Sequence, residues 1–114
     1  MAYITGGKLI DAGDMSGNIT SDILVCEDAS ERISFQATAP LADHVGSIAI
    51  QYSAGSPLNW TDIPPMAIPI GAGAALNEWR EDAEPSARFY RAVYTRSGGS
   101  GALTLVATRM QKRS

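Results

Sequence analysis

The sequence predicts an all-β fold, on three observations. Eleven glycines and six prolines recur at short intervals, which interrupts long helices and favours short strands joined by turns. Several stretches alternate apolar and polar residues with the period of two that a strand with one dry face requires. Heptads, internal repeats and low-complexity segments are absent from the 114 residues. That length suits one domain over residues 1–114, closed by a basic C-terminal tail. A hydrophobic content of 45% against 18% charged is enough to build a core and too polar for a membrane protein.

Taken in order, strands are expected at residues 8–11 and 23–26. The clearest signal spans 32–38, where Ile33, Phe35 and Ala37 alternate with Ser34, Gln36 and Thr38. Residues 48–53 alternate in the same way and, through Ala54-Gly55-Ser56-Pro57, are expected to form a hairpin with 60–63. Pro64, Pro65 and Pro69 lack a ladder N–H, so a strand over 67–70 should be short or lie on an edge. Residues 76–80 read as a strand, although Leu76, Trp79 and Ala83 would also share one side of a short helix. Residues 89–96 and 102–109 flank Ser97-Gly98-Gly99-Ser100-Gly101, whose glycines can take the positive φ of a hairpin loop. So many short strands in one small domain imply a two-layer antiparallel β-sandwich, of which the jelly roll is one form.

The formal net charge of −3 argues against nucleic-acid binding, which needs a concentrated basic surface. The charge is unevenly placed. All twelve acids lie in residues 1–87, beside only Lys8, Arg32 and Arg80; residues 88–114 hold Arg88, Arg91, Arg96, Arg109, Lys112 and Arg113 and no acid. A twisted sheet bringing these arginines beside Glu78, Glu81, Asp82 and Glu84 is one expectation; a basic docking strip is the other. Cys26 is the only cysteine, so a reducing compartment is expected. The first residues lack the basic start and apolar run of a signal peptide, and no stretch is apolar enough for a membrane span.

Chemistry is sparse. His44 lies in Leu-Ala-Asp-His-Val-Gly, expected to be an exposed loop, and one His with one Asp lacks a metal's ligand set. Cys26 follows Ile23-Leu24-Val25 and reads as a small buried hydrophobe. Glu27/Asp28 and Glu81/Asp82 are sequence neighbours, which a strand sends to opposite faces. Gly71-Ala72-Gly73 lacks the Gly-Lys-Ser/Thr of a phosphate loop. Trp60 and Trp79 are expected in the core, with a sugar-stacking platform as the alternative. No enzyme active site or cofactor site emerges.

From residue 46 to 105 a further pattern stands out: Ser47-Ile-Ala-Ile-Gln-Tyr-Ser53, Asn59-Trp-Thr-Asp-Ile-Pro64, Gly71-Ala-Gly73, and Arg88-Phe-Tyr-Arg-Ala-Val-Tyr-Thr-Arg-Ser-Gly-Gly-Ser-Gly-Ala-Leu-Thr-Leu105. It resembles small β-sandwich virion proteins of tailed bacteriophages, and among these most of all the head decoration, or cement, proteins. The resemblance covers about half of the 114 residues. It implies a non-enzymatic structural protein on the capsid exterior, present in the host cytoplasm during assembly. Such a protein would bind the major capsid protein lattice from outside and associate with itself as a dimer or trimer, without nucleic acid, membrane or cofactor. A receptor- or glycan-binding module of a tail or baseplate is the alternative. The resemblance, with the cost of burying Arg91 unpaired, turns Tyr90, Ala92 and Tyr94 inward beside Ile48 and Ile50. Tyr3, Ile4, Phe89, Val93, Arg109, Lys112 and Arg113 are then the candidate partner contacts.

Overall fold

Two sheets face each other in the computed structural model, which describes residues 3–26, 32–53, 59–71, 75–82 and 87–110. The larger runs β1 (Tyr3–Ile4), β4 (Ile23–Val25), β10 (Phe89–Gly98), β6 (Val45–Ser53), β7 (Thr61–Asp62). Beside this path β3 (Ile19–Thr20) also pairs with β10, and β8 (Ile68–Ile70) with β6. The smaller runs β2 (Gly7–Asp14), β11 (Ala102–Met110), β5 (Arg32–Ala39), β9 (Leu76–Asp82). All pairings are antiparallel except β1 with β4. The protein is therefore an all-β sandwich.

Period-2 alternation builds the core as the sequence requires. From the larger sheet Ile48, Ile50, Tyr90, Ala92 and Tyr94 point inward; from the smaller, Ile33, Phe35, Ala37, Leu103, Leu105 and Ala107; each is at most 1% exposed. Ala92 lies opposite Ile50 and Tyr94 opposite Ile48, so the inward set on β10 is the expected one. Each buried Ile, Leu or Phe among them contributes roughly 1.5–3 kcal/mol of transfer free energy, and each Ala less. The Tyr94 hydroxyl keeps a partner at the core's margin by donating to the Val45 carbonyl at 3.1 Å.

Two-residue strands at Tyr3–Ile4 and Ile19–Thr20, too short to carry an alternation signal, were not expected and are among the eleven described strands. The 76–80 segment is a strand, in unbroken register with β5 from Leu76 to Asp82. Pro64 and Pro65 open a short 3-10 turn, η1 (Pro64–Met66), where their missing N–H groups go unneeded. Strand β7 pairs with β6 as the first expected hairpin requires, although its turn at residues 54–58 lies outside the described residues.

The second expected hairpin is corrected. Strands β10 and β11 do not pair: β10 is held by β6 on one edge and by β3 and β4 on the other, and β11 lies between β2 and β5 in the opposite sheet. With both edges of β10 occupied, the Gly-rich segment becomes an arch over one end of the sandwich. Gly99 takes φ 68° there. The Ser100 N–H donates to Asp43 Oδ1 at 2.9 Å, the Met15 N–H to the Gly101 carbonyl at 2.9 Å, and Arg96 Nε–H to the Gly99 carbonyl at 2.8 Å.

His44 is corrected for the same reason. The arch closes over it, and it is fully buried rather than an exposed loop residue. A Cβ at Gly101 would stand 2.5 Å from His44 Nδ1 and 3.3 Å from Met15 Sδ, so the missing side chain of Gly101 makes the space that the imidazole occupies. Cys26 is buried at 1% exposure, as expected for a small hydrophobe.

Candidate binding face

Strand alternation sends Phe89, Arg91 and Val93 of β10 and Ala49 and Gln51 of β6 to the outside of the larger sheet, where they form one continuous surface. Tyr3 of β1 joins it at one end, its ring meeting Phe89 edge-on with centroids 6.0 Å apart and planes at 77°. That is the arrangement aromatic quadrupoles prefer. The Arg88 guanidinium lies 5.8 Å from the centre of the Phe89 ring. Val93 stands between Thr20 and Ala49.

Beside this apolar end lies a polar chain. Arg91 Nε–H donates to Gln51 Oε1 at 2.7 Å, and Gln51 Nε2–H donates to Asp62 Oδ1 at 2.8 Å. The Arg91 guanidinium covers the Trp60 ring, 4.4 Å from its centre. Cation–π contacts of this kind contribute about 0.5–2 kcal/mol, more as water is excluded. Burial lowers the Arg91 pKa from its ordinary value, and the ring face and amide oxygen compensate for lost hydration. The arginine is thus locked as a flat cationic plate, pre-organised to meet carboxylates or carbonyls on another surface.

The contact residues expected from the sequence separate into groups. Tyr3, 57% exposed, and the half-buried Phe89 and Val93 share this face. Ile4 does not: it packs against the core, because neighbouring residues of a strand point to opposite sides. Arg109 is held within the chain, its Nε–H donating to the Thr5 carbonyl at 2.7 Å where the chain leaves β1 for β2. Lys112 and Arg113 lie outside the described residues. Two acids named as neighbours of the C-terminal arginines pair with other cations, Glu81 with Arg32 at 3.7 Å and Glu78 with Arg80 at 3.3 Å.

Neither tryptophan is in the core. Trp60 is half-buried beneath Arg91, and Trp79 is 55% exposed on the outside of the smaller sheet, opposite Gln36. Gln36 Nε2–H donates to Asn77 Oδ1 at 3.1 Å on that side. Alternation explains Trp79: Leu76 is inward, so the third residue after it faces out. The Arg91–Gln51–Asp62 chain was visible in sequence only as polar residues at outward positions; the register that joins them belongs to the tertiary structure.

Among the described residues no three His, Cys, Asp or Glu side chains gather where they could hold a metal ion, and no helix is long and apolar enough to cross a membrane. No protein-family model matches the chain, and a search of curated proteins finds no match.

Proposed function

We propose that the protein is a non-enzymatic virion structural protein, a capsid decoration protein that binds the major capsid protein lattice from outside and self-associates there as a dimer or trimer. The observation that carries this reading is the outward face of the larger sheet, with the Tyr3–Phe89 pair beside the Arg91–Trp60 plate. Aromatic and arginine side chains held rigidly in this way are the groups that dominate protein–protein contacts. The sequence pattern over residues 46–105 supplies the choice of partner. Weak contacts repeated over a lattice reinforce one another, so a modest face suffices.

The test mixes the purified protein with undecorated particles and counts bound copies by quantitative mass spectrometry. Saturation at lattice copy number is expected. Phe89→Asp and Arg91→Glu should each raise the protein concentration needed for half-saturation about tenfold or more, the effect of a central contact worth about 1.4 kcal/mol. Binding at a few copies per particle, or unchanged occupancy for both variants, would sink the proposal.

A second reading, a glycan-binding tail or baseplate module, draws on exposed Trp79 beside the Gln36–Asn77 pair. It requires that Trp79→Ala abolish glycan binding and that Phe89→Asp spare it.

A further inference from the structure

Open sheet edges invite pairing with other chains, and most of those in this fold are blunted. In the larger sheet β1, β3 and β7 are two residues long, and β8 has three residues with Pro69 at the centre. In the smaller sheet β2 carries Ala12 at φ 49° and two register irregularities against β11. Strand β9 differs. It has seven residues, no proline, unbroken register with β5, and no second strand beside it among the described residues. Asn77, Glu78 and Trp79 are exposed in succession along it.

We infer that β9 is a twofold interface, pairing antiparallel with β9 of a second copy of this chain so that the two four-stranded sheets become one of eight strands.

The charge pattern selects the register. Trp79 is the middle residue of Leu76–Asp82, so full overlap of two copies puts Trp79 on the twofold axis. Glu78 of each copy then stands opposite Arg80 of the other, Asn77 opposite Glu81, and Leu76 opposite Asp82. No like charges meet. A slip must move in steps of two, because an odd slip sets inward residues against outward ones. One such slip places Glu78 on the axis against its own copy; the other does so with Arg80. Cross-strand ion pairs stabilise a sheet and like charges directly opposite destabilise it, so alternating sign admits one self-pairing and penalises its neighbours.

The main chain fits as well. Arg80 Nη1–H donates to the Trp79 carbonyl at 2.9 Å and to Glu78 Oε2 at 3.3 Å, while Nη2–H reaches the Ala67 carbonyl at 3.2 Å. Ala67 follows η1, which approaches β9, and the Trp79 carbonyl, taken by the same side chain, is placed on the side of β9 that pairs with no strand among the described residues. On the axis it accepts the partner's Trp79 N–H and gives its own N–H in return. Arg80 exchanges contacts within its own strand for the partner's Glu78. The two exposed indoles meet across the axis on the outer face.

The experiment measures mass by sedimentation equilibrium on the purified full chain, which separates this inference from particle binding. The unmodified protein should dimerise. Glu78→Arg and Arg80→Glu set like charges opposite each other at both positions, and each should raise the dissociation constant roughly tenfold or more. An equimolar mixture of the two variants restores both attractive pairs, and a one-to-one heterodimer should form. A monomeric unmodified protein, unweakened single variants, or folded variants that fail to pair when mixed would each overturn the inference. Where a variant does not fold by circular dichroism, hydrogen exchange of the unmodified protein decides. The amides of Asn77, Trp79 and Glu81 should gain protection as concentration rises, and concentration-independent exchange refutes the interface.

Discussion

Replacing Tyr90 by Ala should lower the unfolding free energy by about 3–5 kcal/mol, the range for truncating a large aromatic in a closed core. Tyr90 is 1% exposed and lies between the sheets, its ring centre 6.3 Å from that of Phe35. Its hydroxyl sits between the Ala87 N–H and Asp82 Oδ2, both at 3.4 Å, where it accepts from the first and donates to the second. Tyr90→Phe keeps the packing and gives up only these long bonds, so it should cost about 1 kcal/mol or less near neutral pH. The two variants differ again in alkali. Burial raises the Tyr90 pKa above its ordinary 10.0, so the unfolded chain loses this proton first. The contribution of the neutral phenol is whole below pH 10.0 and is lost as pH climbs through the higher folded value. Stability of the unmodified protein should fall above about pH 10. Tyr90→Phe should flatten that fall without removing it, because burial raises the Tyr94 pKa in the same direction. Urea denaturation across a pH series measures both effects. A loss below about 1 kcal/mol for Tyr90→Ala would mean that this core has no closed packing at its centre.

Gly99→Ala should cost about 2–4 kcal/mol, although it adds a single methyl group. The residue holds φ 68°, where an L side chain is strained, and its Cβ would collide with the carbonyl of Asp43. Moving Asp43 aside also disturbs its bond to the Ser100 N–H and loosens the cover over His44. Gly98→Ala, one residue earlier, is the internal control. Its Cβ would meet only Val45 Cγ1, at 3.7 Å, so a change within about 1 kcal/mol is expected. Equal melting curves for the two variants would show that Asp43 does not hold the arch.

These two sites also show how far local patterns reach. Alternation along residues 32–38, 48–53 and 89–96 left each strand only two choices of inward face; along 89–96 the choice between them came from the resemblance and from the cost of burying Arg91 unpaired. The same logic accounts for β9, where an outward Trp79 agrees with a strand and opposes the core assignment. Glycine placement announced a turn at 97–101, yet a turn signal says nothing about which sheet receives the next strand. That depends on which edges of β10 are already filled, and β3, β4 and β6 lie 36 residues or more upstream. His44 was misplaced for a related reason, since a polar loop is exposed until another loop folds over it. The binding face was legible in part: Phe89 and Val93 followed from alternation, whereas the contact of Arg91 with Trp60 depends on how β7 docks beside β6.

Strand β11 has a consequence in time. It is the last of the described strands in chain order, yet it stands at the middle of its sheet, with β2 on one side and β5 on the other. While the polypeptide is being synthesised, residues 7–14 emerge with no strand of their own sheet able to join them, and residues 32–39 can gain only β9, on one edge. One edge of β2 and the second edge of β5 stay unpaired until residues 102–110 have left the ribosome. Closure of such distant pairings is slow, and the waiting strands are open to aggregation. Shortening the chain within β11 therefore removes the strand that joins β2 to β5, and leaves the nascent sheet in two pieces.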